Sequence, residues 1–245
     1  MNNIIKSIKN ILFPQKEITS KKTQQMDLGN IDDNTIHIFR YNDKYGNFDY
    51  SKYKEVQIAT NIRKIDKSSI DERDIRILSS WLVKHVTPLK YGLCHGTRRG
   101  LEQIFFHKYT GASVLGTDIS PTATQFPNTI QHDFHEIKDE WIRYFDFVFS
   151  NSYDHAYNLE LCIKQWMKCI RSQGVCILEH GDNHMDVKES DPIGLDKETL
   201  IKLVDYWGRG KFKVIKQLEV TYDAEQITTA TFRHKHLTYI IIKNY

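Results

Sequence analysis

Cysteine is scarce in this chain, and its spacing excludes two common uses. The four cysteines among 245 residues, Cys94, Cys162, Cys169 and Cys176, form no C-x-x-C pair, so neither a zinc ribbon nor a thioredoxin-like redox motif is present. Cys162 and Cys169 lie seven apart in a helical pattern and are expected to face a core. Thiols used this way suit a reducing, cytoplasmic compartment. No apolar run is long enough to span a bilayer. Charge of one sign is also lacking: the formal net charge is +3, too little to indicate nucleic acid without a localised patch. Gly-Lys-Ser/Thr is absent, which excludes a P-loop, and so is G-x-G-x-x-G, which disfavours a nicotinamide dinucleotide. There are no internal repeats or low-complexity tracts.

What is present begins with "MNNIIKSIKNILF", where Ile4, Ile5, Ile8, Ile11 and Leu12 share a helical face. Lys and Asn interrupt it too often for a signal-peptide core. Residues 1–14 read as a docking helix, with a weak membrane-surface helix as the alternative. Residues 15–50 are polar, with "TIHIFRY" alternating as a short strand, and "YSKYKEVQIATNIRKI" reads as a helix or clasp. Residues 1–66 are therefore an N-terminal extension and 67–245 the main domain. The main domain opens at "SIDE", the form of a capping box between Ser69 and Glu72. The helix that follows, with Ile75, Leu78, Trp81, Leu82 and Val86 near one face, stops before Pro88.

From there strand and helix patterns alternate. "KYGLCHG", "SVLGTDIS", "NTIQHDF", "FDFVFSNS" and "VCILEHG" read as strands. "LEQIFFHKYT", "EIKDEWIRYF", "NLELCIKQWMKCIRSQG" and "DKETLIKLVDYWG" read as helices. "SPTATQFPNT" is too short and proline-interrupted for a full helix. The closing "FKVIKQLEV" and "HLTYIIIKNY" leave no room for a crossover helix, so they pair antiparallel. The fold class is α/β: a mostly parallel Rossmann-like sheet with an antiparallel C-terminal hairpin and helices on both faces.

In such sheets ligands bind beyond the carboxyl ends of the strands, and the chemistry-bearing residues cluster there. Asp118, followed by Ile119, lies 22 residues after Gly96, the spacing at which a carboxylate meets ribose hydroxyls over the first turn. Asp133, beside Phe134, is placed to accept from an adenine amine while the ring stacks. Asn151, Asp154 and His155 follow the fourth strand. Glu179, His180, Asp182 and His184 follow the fifth; their types suit a divalent cation, but their loop spacing is that of a polar substrate rim rather than a metal centre.

This order of elements, the acidic end of the second strand and the final hairpin resemble the class I S-adenosylmethionine-dependent methyltransferases. More narrowly, "CHGTRRGLEQIFF", "GTDISPTATQFPNTIQHDFHE" and "SNSYDHAYNLELCIKQWMKCIRSQGVCILEH" resemble a group of bacterial and viral methyltransferase-like proteins with a Cys-His-Gly-Thr-Arg loop. The resemblance spans about residues 55–185 and the terminal hairpin. It implies S-adenosylmethionine as cofactor, with the first motif on Cys94, His95, Gly96, Thr97 and Arg98, the ribose carboxylate on Asp118 and the adenine contact on Asp133. The fourth-strand motif falls on Ser150 to His155. Arg98 becomes a clamp for the methionine carboxylate, while Arg99 reads as a solvated side chain. The acidic residue that precedes the loop in many members falls on Gly92. His155 or Asp154 is the candidate base, and the acceptor is a small molecule such as a sugar or another biosynthetic metabolite. "SNSYDH" lacks the Asn/Asp-Pro-Pro-Tyr/Phe motif of base-amine DNA methyltransferases, which disfavours nucleic acid. Two rivals stay open: a non-catalytic binding protein with a degraded first motif, and an NAD-dependent oxidoreductase, for which the last strand should be parallel.

Overall fold

The structure, a computed structural model, describes residues 24–32, 35–182, 184–222 and 236–245. The expected helix within residues 1–14 and most of the connection between the last two strands lie outside these residues.

The centre is a seven-stranded sheet of order β4-β3-β2-β5-β6-β9-β8. Its strands are β2 (Tyr91–His95), β3 (Ser113–Asp118), β4 (Thr129–Gln131), β5 (Phe145–Ser150), β6 (Ile170–Gly181), β8 (Phe212–Thr221) and β9 (His236–Asn244). The first five run parallel; β9 is antiparallel to both β6 and β8. The parallel last strand expected of an oxidoreductase is therefore not found. Two short strands, β1 (Ile36–Ile38) and β7 (Ile193–Leu195), form a separate antiparallel pair.

Alternation along the strands splits the core in two, because successive side chains leave opposite faces of a pleated sheet. Phe147, Phe149, Ile177 and Ile241 point to one face, where helices α2 (Glu72–His85) and α3 (Leu101–Thr110) pack. Val148, Cys176, Leu178 and Ile242 point to the other, covered by α4 (Leu159–Cys169) and α5 (Lys197–Gly208). A third cluster, Tyr41, Tyr53 and Tyr157, joins α1 (Tyr50–Arg63) to the body. All four cysteines are buried free thiols. Among the described residues no helix is long and apolar enough to cross a membrane.

Three local expectations are corrected. Asp71, not Ser69, caps α2, its carboxylate accepting from Arg73 N at 2.7 Å; Glu72 instead reaches across to Lys108 at 2.6 Å and Tyr109 at 2.7 Å. In "EIKDEWIRYF" only Asp139–Trp141 turns, as a 3₁₀ helix; Trp141 is buried against Phe145, and Arg143 adopts φ +56°, which ends any helix. The helix expected to reach Gly174 stops at Cys169, because Ile170 pairs with Phe145 and its carbonyl accepts from Asn244 Nδ2 at 2.8 Å.

Candidate functional site

The parallel register brings the strand ends level. His95 lies opposite both Thr117 and Ser150, and Asp118 opposite Gln131. The residues that follow these positions meet at one edge of the sheet, beside the point where the chain order reverses between β2 and β5.

The turn after β2 is held by backbone. Gly96 N and Thr97 N both donate to Thr117 O, at 2.8 and 3.1 Å. Gly96 has φ +75°, and a Cβ there would lie 2.6 Å from Ser152 Cβ, so glycine allows both the left-handed turn and the close approach of the β2 and β5 ends. Gly100, at φ +72°, opens α3, and no side chain caps its first turn. Cys94 and His95 point into the body rather than the cavity. His95 stacks on Trp166 at a ring separation of 5.0 Å, its Nδ1 is 2.8 Å from Thr117 Oγ1, and burial holds its imidazole down to about 3.

Asp118 is 5% exposed and accepts three hydrogen bonds: from Arg98 N and Asn61 Nδ2 to Oδ2, both 2.9 Å, and from Ser120 N to Oδ1 at 2.9 Å. Burial nevertheless raises its pKa, outweighing these donors and the Arg98 guanidinium. Asp133 shows the opposite balance. Burial works against its ionised form, but His135 and the Tyr50 hydroxyl outweigh it and hold the carboxyl well below its ordinary range. His135 Nδ1 lies 2.7 Å from Oδ1, and Tyr50 OH donates to Oδ2 at 2.6 Å.

A cavity of about 50 Å³ joins these groups; Gly96, Arg98, Asp118, Ile119, Asp133, Phe134 and His155 line it from the strand ends. Its other wall is α1, through Tyr53, Gln57, Thr60 and Asn61, side chains the sequence reading did not single out, while Ser152 belongs to the fourth-strand motif Ser150 to His155. Tyr50, Tyr53, Gln57 and Asn61 recur at steps of three and four, so they share one helical face. That stripe is polar, which is why a search for an apolar stripe passes over it. Through it α1 donates to Asp118 and Asp133, and Gln57 Oε1 lies 3.1 Å from His155 Nδ1. Ligand pockets usually measure about 300–1,000 Å³; this cavity, with α1 as one wall, is smaller.

His155 stands between two carboxylates: its Nδ1 is 3.5 Å from Asp191 Oδ1 and its Nε2 is 4.0 Å from Asp154 Oδ1. Single ligand-type atoms of the three residues lie within 4.8 Å of one another. Asp191, absent from the sequence-derived set, follows β6 at a distance of sequence that hides the contact. The Glu179–His184 constellation, by contrast, divides, because successive strand residues face opposite ways, while His180 and His184 stay together, stacked at a ring separation of 4.8 Å. Glu179 turns toward α2, where Tyr239 OH lies 2.7 Å from Asp74 Oδ2 and 3.1 Å from Glu179 Oε2, and burial raises both carboxyls. His180 meets Tyr153 OH at 2.6 Å, and Asp182 accepts from His236 N at 3.2 Å. Only His184 approaches the site, its Nε2 3.8 Å from Asp154 Oδ2.

Thr97 and Asn151 line a second, smaller space of about 20 Å³ on the far side of the turn, together with Glu102 and the segment Lys67, Ser68 and Ser69. The two cavities share Gly96, Arg98 and Ser152. Arg98 Nη1 donates to Lys67 O at 2.9 Å and Arg99 Nη1 to Asp66 O at 3.3 Å. Gly92 lies elsewhere, inside β2, where a Cβ would meet the Phe147 ring at 2.3 Å. A carboxylate at that position is excluded by packing and would not face the site.

No protein-family model matches the chain, and no curated protein does. Solved structures do share its fold. One is the 1,6-didemethyltoxoflavin-N1-methyltransferase of Burkholderia thailandensis with 1,6-didemethyltoxoflavin and S-adenosylhomocysteine bound, at TM-score 0.57 and 14% identity over 79% of this chain and 89% of that one. Another is the N-methyltransferase NodS of Bradyrhizobium japonicum WM9 in complex with S-adenosylhomocysteine, at TM-score 0.54 and 11% identity over 77% and 98%. The fold is thus the Rossmann-like α/β fold of the methyltransferases, with its antiparallel hairpin at the β9–β8 edge.

Proposed function

We propose that the protein is an S-adenosylmethionine-dependent methyltransferase that transfers methyl to oxygen or nitrogen of a small-molecule acceptor in the cytoplasm. The observation that carries this reading is the single cavity shared by Gly96, Asp118, Asp133, Phe134 and His155. S-adenosylhomocysteine in both similar structures supports the cofactor, and the bound 1,6-didemethyltoxoflavin in one of them supports a small acceptor.

The residues present fit the cofactor. Asp118 offers two carboxylate oxygens to ribose hydroxyls, in place of the Asn61 amide it now accepts from. Asp133 and Phe134 supply an acceptor and an aromatic edge for adenine. Gly96 lines the cavity, and its lack of a side chain lets Ser152 pack against the turn. Arg98, with the uncapped first turn of α3, favours a carboxylate. Ile119 and Asn151 complete the walls, with Cys94 and His95 supporting the turn from below.

When bound, the cofactor supplies an electrophilic methyl carbon on a sulfonium. The chain's contribution is positioning and the exclusion of water. His155 is oriented by Gln57 and flanked by Asp154 and Asp191, the arrangement of a base held in one orientation by its neighbours. It takes the proton from an acceptor hydroxyl or amine, and the carboxylates balance the charge. The polar face of α1 closes over the site.

Calorimetry with S-adenosylhomocysteine tests the reading. Binding is expected, and Asp118→Ala should weaken it about 100-fold or more, since two hydrogen bonds to a charged group are lost. Absence of binding to the unaltered protein, or an Asp118→Ala variant that binds as before, refutes it.

A further inference from the structure

We propose that a large cavity at the amino ends of the central strands, walled by Tyr91, Trp141, Tyr144 and Phe145, binds an organic ammonium ion with an apolar body. This site is separate from the one around Asp118 and does not depend on the cofactor reading.

The cavity measures about 630 Å³, within the usual range of ligand pockets. It lies where the parallel strands begin: Tyr91 opens β2, Ser113 opens β3 and Phe145 opens β5, and all three line it. The residues around Asp118 sit at the other ends of the same strands. The opening has a local cause. A parallel crossover usually lays an α-helix against the sheet, but the one from β4 to β5 turns only at Asp139–Trp141, and Arg143 at φ +56° ends it. Leu115 of β3 is left partly buried, and it lines the cavity.

Four aromatic rings form one continuous wall. Tyr91 and Tyr144 lie 4.7 Å apart between centroids, Tyr144 and Phe145 5.2 Å, and Phe145 and Trp141 6.1 Å. Tyr91 and Tyr144 are 39% and 47% exposed, so their rings are open to a ligand.

The charge of the lining selects that ligand. Among the described residues that line the cavity Glu140 is the one carboxylate, and none is Lys or Arg, in a chain with 34 such basic residues. On α3, His107 Nδ1 lies 2.9 Å from Ala112 O. A carbonyl only accepts, so this nitrogen carries the hydrogen and Nε2 of the neutral ring is an acceptor. Ring faces and a carboxylate both attract a cation, and aromatic cages hold quaternary ammonium groups in this way. The chain's own cation shows the attraction: Lys138 Nζ stands 5.4 Å from the Trp141 ring centroid and 4.0 Å from Glu140 Oε1. A ligand's ammonium group competes with Lys138 for that ring and that carboxylate. An inorganic cation would leave most of the aromatic wall facing water, so the body of the ligand is organic.

Choline and its uncharged carbon analogue 3,3-dimethylbutan-1-ol, which has the same shape, test the charge; benzyltrimethylammonium tests the body. Binding is read from the NMR shifts of the Tyr91, Trp141 and Tyr144 rings in the full chain. Choline should bind about 3- to 30-fold tighter than the alcohol, and benzyltrimethylammonium tighter than choline. Glu140→Gln should weaken both ammonium ions about two- to fivefold and leave the alcohol unchanged, and Lys138→Met should strengthen them. Tyr144→Leu should weaken them about two- to fivefold. All three side chains are exposed, so these variants keep the fold. An alcohol that binds as tightly as choline marks a neutral apolar surface and overturns the proposal. Absence of any ring shift with either ammonium ion overturns it too, as does ammonium binding that Glu140→Gln and Tyr144→Leu both leave unchanged.

Discussion

Glu102 carries a cost that can be measured without any ligand. Its carboxyl is displaced by burial from 4.5 to about 7 in the folded protein. At ~1.4 kcal/mol per unit of pKa, ionising it in place loses roughly 3 kcal/mol of stability. The sign follows from proton binding: the folded state holds this proton more tightly than the unfolded state. Its stabilising effect is therefore complete below about 4.5 and is lost as pH rises through about 7. Glu102→Gln keeps the shape but cannot ionise, so its stability should not fall over that interval on this account. Asp74, Asp118 and Glu179, whose carboxyls are also raised, remain in both proteins; Glu179, raised in part by Glu102, is raised less in the variant, which adds to the difference in the same direction. Thermal unfolding at pH 5, 7 and 8.5 reads the difference. The unaltered protein should lose about 6–12 °C more than the variant across that span, taking ~2–4 °C per kcal/mol for a domain of this size. Parallel pH profiles for the two proteins would refute the placement of Glu102 as a buried carboxyl, one oxygen of which has no hydrogen-bond partner among the described residues.

Two further outcomes are expected. His155→Ala should lower methyl-transfer turnover ~10²–10⁴-fold while leaving S-adenosylhomocysteine affinity within about threefold; equal losses in both would make His155 a binding residue and not a base. Gly92→Ala should lower the unfolding temperature, because its Cβ would lie 2.3 Å from the Phe147 ring and overpacking costs about 1–3 kcal/mol. A Gly92→Ala protein as stable as the parent would show that β2 and β5 are not packed this closely.

The strand ends were legible in one dimension, because every parallel strand delivers its last residue to the same edge; Asp118 and His155 come after apolar strands, and Asp133 after the short strand Thr129–Gln131. The segment Leu101–Thr110 was legible too, bounded as it is by Gly100 and Gly111, both in the left-handed region. Where the reading slipped, a contact remote in sequence had prevailed over local pattern. Glu72 abandons the expected capping box because Lys108 and Tyr109 on α3 offer it stronger partners. Ile170 leaves the helix because Phe145 offers a strand pairing. The face of α1 that meets the site combines Tyr50 and Tyr53, packed in the tyrosine cluster, with Gln57 and Asn61 over a carboxylate and a histidine, so its apolar signal is weak.

The order of elements, the turn at Gly96 and the carboxylates beyond the strands are properties of the chain as written, set by side-chain period and backbone freedom within a few residues. That Asn61 meets Asp118, that Asp191 flanks His155, and that Glu102 rather than position 92 faces the turn depend on the packing of α1, the β7 loop and α3 against the sheet. The physical reason is range. Propensity and hydrophobic period act between neighbours along the chain, whereas desolvation and charge act between neighbours in space: Asn61 and Arg98 reach Asp118 across 57 and 20 residues, and Asp191 reaches His155 from the far side of β6.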